Sequence, residues 1–151
     1  MTETFDNKFM DLQFAMVSVA VEFVNKKADK AFVYGSIEEG VVTGDVFYQV
    51  GKRIFKKHEL SKLNDFSNIN MGDEMQYRML GLFSEDLQSL MKLFKEDNRE
   101  VPTEFKMIYD INSGKFNSNL SYDLKYSDSD YKDASDIFDK WFDEVKKEIE
   151  G

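Results

Sequence analysis

The apolar residues of this chain recur at two spacings in turn, three or four residues apart and then two apart, and the order of those segments decides what it can fold into. Phe5, Phe9, Leu12, Met16, Val19 and Phe23 predict a first helix over residues 5–26, because every third or fourth position returns to one helical face. A second stripe of Met10, Phe14, Val17, Val21 and Val24 makes its end nearly apolar all round, so it needs cover on more than one side. Its β-branched run leaves a strand as the alternative there. Residues 30–38, 41–50 and 52–60 then predict three strands, broken at Glu39-Gly40 and Gly51, the first break being short enough for an antiparallel hairpin. Residues 61–70 are polar and predict a loop.

The most regular helical stripe follows over residues 71–98, through Met75, Met79, Leu80, Phe83, Leu87, Leu90, Met91 and Phe94. Its phase holds across Gly81 and Ser84, which predicts one helix. Pro102 marks the exit into extended chain. Phe105, Met107, Tyr109 and Ile111, then Phe116, Leu120, Tyr122 and Leu124, alternate around Asn112-Ser113-Gly114-Lys115 as a hairpin. A last helix is predicted over residues 130–148, burying Ile137, Phe138, Trp141, Phe142, Val145 and Ile149. The order is helix, three strands, helix, two strands, helix. This predicts an α+β domain spanning residues 1–151, with helices packed on one side of an antiparallel sheet of about five strands around one core.

A 42% hydrophobic and 15% aromatic composition supports such a core. With 29 acidic and 20 basic residues the formal charge is −9, which disfavours nucleic acid and anionic membrane as partners and favours a basic protein surface. The apolar stretch from Leu12 to Val21 is too short to span a bilayer, and the acids upstream of it have the wrong sign for a signal peptide. The absence of cysteine removes disulfides and thiol nucleophiles and suits either a reducing cytosol or a bacterial protein indifferent to redox state, and the expected location is cytoplasmic.

Catalytic and cofactor patterns are sparse. His58 stands alone in a polar stretch, with no second histidine or any cysteine to form a metal site or a triad. The eight glycines form neither a GxGxxG nor a GxxxxGK[ST] loop, and turns and strand bends account for them. Asp128, Asp130 and Asp133 alternate as in a calcium loop, but Lys132 and Asp133 stand where a ligand and a glycine are needed. A helix start rich in capping acids is the preferred reading there. Neither a cofactor nor a metal is expected, and nothing in the pattern points to an enzyme. Lys52, Arg53, Lys56 and Lys57 form a basic cluster that fits a solvated or guarded strand edge better than a phosphate site.

The remaining feature is acidic. Asp128, Asp130, Asp133, Asp136, Asp139 and Asp143 crowd the start of the last helix and the segment before it. Such a surface is either solubilising or complementary to a cationic partner, where charge speeds encounter.

The segment FKMIYDINSGKFNSNLSYD (residues 105–123), followed by acids and Trp141 on a final helix, resembles the YezG/EsaG-like immunity (antitoxin) proteins of Firmicutes. The element order, with VFYQV in a strand and LMKLFKEDN ending a long helix, is similar over nearly the whole chain. It departs from the family at Val21-Glu22-Phe23 and Val101-Pro102-Thr103, where members tend to carry tryptophans. The resemblance implies a cytoplasmic protein that neutralises a polymorphic toxin, often the nuclease domain of a protein exported by a type VII secretion system. The expected function is therefore non-catalytic: binding a basic, nuclease-like cognate toxin and occluding its active site, with the six aspartates as candidate contacts. The alternative is a structural or regulatory interaction module, homodimeric through the apolar first helix. Both a monomer and a weak homodimer fit the sequence.

Overall fold

A computed structural model describes residues 4–151. The first helix, α1 (Phe5–Phe23), starts at Thr4, whose side chain accepts a hydrogen bond from the Asn7 amide, and stops where Asn25 and Lys26 take positive φ. Strands β1 (Lys30–Glu38), β2 (Val41–Val50) and β3 (Arg53–Lys56) follow, then α2 (Asp73–Glu96), β4 (Glu104–Asp110), β5 (Phe116–Ser121) and α3 (Ala134–Glu150). All strand pairs are antiparallel and the spatial order is β3-β2-β1-β4-β5. The fold is α+β with the element order expected from the spacings. No helix among the described residues is long and apolar enough to cross a membrane.

Helices cover both faces of the sheet, which corrects the expectation of one helical layer and one core. Ala31, Val33, Val46, Tyr48, Phe105 and Met107 pack under α1 and α2. The alternate residues Phe32, Tyr34, Phe47 and Ile54 pack under Ile137, Phe138, Trp141 and Phe142 of α3. Successive strand residues point to opposite faces, so the continuous run Ala31-Phe32-Val33-Tyr34, buried throughout, requires cover on both sides. Trp141 stands edge-on to Phe47 at 4.9 Å, as its phase on the helix implied.

Two glycines govern how closely α2 approaches. Gly35 and Gly44 are cross-strand partners. A Cβ at Gly35 would lie 2.7 Å from Leu87 Cδ2, and one at Gly44 would lie 2.6 Å from Phe83 Cβ. The pair leaves a hollow into which Phe83 and Leu87 descend, a role that turns and strand bends do not describe. Gly81 lies within the unbroken α2, as the stripe predicted.

Several boundaries move, most by two or three residues. The third strand ends at Lys56 instead of residue 60, because Glu59 folds back and its carboxylate accepts from the Lys56 amide at 2.7 Å. The expected polar loop contains two single helical turns, Leu60–Lys62 and Asn64–Phe66, which bury Leu60 and Phe66 beneath the first core. The last helix begins at Ala134, four residues later than expected, because Asp133 is its cap.

Candidate protein-interaction surface

The six aspartates divide by what each carboxylate already holds. Asp133 caps α3 by accepting from the Asp136 amide at 3.3 Å, and the Asp136 carboxylate accepts from the Lys132 amide at 2.8 Å. This reciprocal arrangement satisfies amides that the helix leaves unpaired, and it places negative charge at the positive end of the helix dipole. The reading of this stretch as a helix start rich in capping acids therefore describes the structure. Asp139 reaches Lys56 on β3 at 2.8 Å. Asp128, Asp130 and Asp143 are exposed, and no ion pair among the described residues engages them.

The basic cluster is drawn into the same neighbourhood. Lys56 serves Asp139, Lys57 binds Asp45 at 3.0 Å, and the Arg53 guanidinium lies 4.8 Å from the centre of the Phe55 ring. Two of the four cations thus hold the domain's own acids. Asp136, Asp139 and Asp143 follow one another at helical spacing along the side of α3 that carries the Lys56 contact. The end of that helix is pinned by Glu150, which accepts from the Ile54 amide at 2.8 Å and pairs with Lys146 at 3.1 Å. Those bonds hold the Glu150 carboxyl below the usual carboxylate range.

The segment between β5 and α3 owes its course to a residue that the sequence did not single out. Glu38 is buried at the end of β1 and accepts four hydrogen bonds of 2.9–3.2 Å from the amides of Lys125, Tyr126 and Ser127. Burial alone would push its carboxyl up, but the bonds from Ser127, Lys125 and Tyr126 outweigh it and hold the group below its ordinary value. Asp128 and Asp130 follow directly on these anchored amides. A second buried acid, Glu104, accepts from the Tyr34 hydroxyl at 3.1 Å and lies 3.8 Å from Lys106 Nζ. Burial first, then the charges of Glu104 and Glu38, push the Tyr34 hydroxyl far above its usual range, so it remains a donor. Beside this group a shallow cleft of about 160 Å³ opens between Lys106, Lys125, Lys140 and Trp141.

Among the described residues no group of three or more histidine, cysteine, aspartate or glutamate side chains could hold a metal ion. His58 is exposed and takes part in no hydrogen bond or ion pair among them. Neither a family model nor a curated protein matches the chain.

Proposed function

We propose that this chain is a non-catalytic immunity protein that binds a basic, nuclease-like toxin and covers its active site. The observation that carries the proposal is the set of exposed carboxylates at Asp128, Asp130 and Asp143, joined by Glu148, which face solvent without an internal cation. A cleft that grips phosphate is cationic, and exposed anions on the last helix and the segment before it speed encounter with it and compete for its charge. The family resemblance carried by residues 105–123 supports this kind of partner, and the exposure of these carboxylates supports them as its contact.

The internal partners of the other three aspartates support a shorter contact set. Asp133 and Asp136 cap the helix, and Asp139 is engaged by Lys56. Exposure and the lack of an ion pair among the described residues support Asp128, Asp130 and Asp143 as the residues that meet the toxin. The test uses the product of the gene adjacent to this one in the native genome. Asp128→Asn, Asp130→Asn and Asp143→Asn together should slow association about ten-fold or more at low salt, flatten the salt dependence, and leave the melting temperature unchanged. Unchanged association and salt dependence in that triple variant would sink the proposal, leaving these carboxylates as a solvated face.

A further inference from the structure

The two edges of the sheet are finished differently. In β3 the outward-pointing amides are those of Ile54 and Lys56, and each is taken by a carboxylate, Glu150 and Glu59 respectively. No strand can add there without displacing them. In β5 the outward side follows from the register. The Asp110 amide donates to the Lys115 carbonyl and the Ile111 amide to the Asp29 carbonyl. Even-numbered residues of β4 therefore bond to odd-numbered residues of β5, and odd-numbered residues of β4 bond to β1. Phe116, Ser118 and Leu120 consequently turn their amides and carbonyls away from the sheet. Among the described residues nothing accepts from those three amides.

The sequence of this open edge is self-complementary. Phe116-Asn117-Ser118-Asn119-Leu120 has the same chemistry in both directions about Ser118. Two copies aligned antiparallel about a two-fold axis at Ser118 place Phe116 opposite the other copy's Leu120, and Asn117 opposite its Asn119. The outward residues then meet as hydrogen-bonded pairs, and every free amide of one edge finds a carbonyl of the other. The strand has no charged residue, lysine or proline to forbid this. On the α1 side of the sheet, Phe14 touches the Phe116 ring at a centroid distance of 4.9 Å. Met10, one turn away from Phe14, is 42% exposed, and Phe14 itself is 39% exposed. In the paired arrangement both copies carry α1 on the same side of a continuous sheet, so these apolar side chains flank the junction.

We propose that β5 is a homodimerisation edge, pairing two copies about Ser118 into one continuous antiparallel sheet. The full chain should sediment at twice its 17.7 kDa mass as concentration rises. Two copies of a −9 chain repel at long range while the strand itself is neutral, so added salt should strengthen the dimer, opposite to its effect on toxin binding. The register has its own test. Asn117→Cys and Asn119→Cys sit on the exposed face, and across the junction their Cα atoms come within about 4.5 Å, whereas Asn117 of one copy is about 8 Å from Asn117 of the other. Under mild oxidation a mixture of the two single variants should yield a disulfide dimer several-fold faster than either alone. Asn117→Lys with Asn119→Lys should give a folded monomer, and mixing it with Asn117→Asp and Asn119→Asp should restore the dimer. A wild-type chain that stays at 17.7 kDa up to several hundred micromolar overturns the proposal. So does a dimer that survives in the lysine variant, or crosslinking no faster in the mixture. None of these outcomes bears on the aspartate variants of the toxin test, so the two proposals fail separately.

Discussion

Glu38→Ala is the perturbation with the widest predicted reach. The side chain is 1% exposed as a residue and carries four hydrogen bonds from three successive amides whose partners lie 87 to 89 residues away. Hydrogen bonds to a charged acceptor are worth about 1.5–3 kcal/mol each where water is excluded. Here the amides belong to a partly exposed segment and can rehydrate, so the expected net loss is about 2–4 kcal/mol for the set. For a domain of this size that corresponds to a melting temperature lower by about 4–15 °C. Glu38→Gln keeps one acceptor oxygen and should lose roughly half as much. The folded carboxyl titrates below its unfolded value, so its contribution is fully present above about pH 4.3 and is lost as pH falls through the folded value. The gap between wild type and Glu38→Ala in chemical denaturation should therefore close on acidification below about pH 4. Hydrogen exchange at the amides of Tyr126 and Ser127 should quicken in the variant at neutral pH. A melting point within about 1 °C of wild type, or a gap that stays constant down to pH 3, would refute the argument that this carboxylate anchors the segment.

Two further predictions concern glycines and the guarded edge. Gly44→Ala drives a Cβ to 2.6 Å from Phe83 Cβ, an atom too close to its backbone to swing aside, and should cost about 1–3 kcal/mol in urea unfolding. Gly81→Ala, on the exposed side of α2 with open space around it, should instead gain about 0.5–1 kcal/mol. By NMR the Glu150 carboxyl should titrate below the ordinary glutamate value, and the Ile54 amide shift should move with the same midpoint, since the bond persists above that pH and is lost below it. An Ile54 amide that stays flat while Glu150 titrates would mean the edge is not closed by this residue.

What the sequence disclosed was mostly periodic. The stripe from Met75 to Phe94 gave α2 as one helix, and the alternation around Asn112-Ser113-Gly114-Lys115 gave the β4–β5 hairpin, because both patterns repeat over distances where local geometry decides. The run Ala31-Phe32-Val33-Tyr34 carried the signal for a strand buried on both faces, and helices on one side alone could not have satisfied it. The acids were legible as a composition but not as a surface. Capping by Asp133 and Asp136 is local and follows from spacing, whereas Asp139 is distinguished from Asp128, Asp130 and Asp143 by Lys56, which no spacing along the chain brings to it. Glu38 was the least legible of all. Its acidity looks like ordinary surface charge beside Glu39-Gly40, and only the tertiary fold turns it inward.

The central position of β1 has a consequence for how the chain reaches this state. β2 follows β1 across a two-residue turn, whereas β4 is made only after all of α2 has been added. A nascent chain thus holds an early three-stranded meander whose most apolar strand has one edge unpaired and the face that α3 will cover still bare. Closing that edge requires contacts between residues as far apart as Lys30 and Asp110, a distant loop closure that slows folding. The interval before β4 docks is therefore when this protein is most exposed to misassembly, and chaperone dependence or inclusion-body formation should respond to changes in β1 and β4 more than to equal losses of stability in α3.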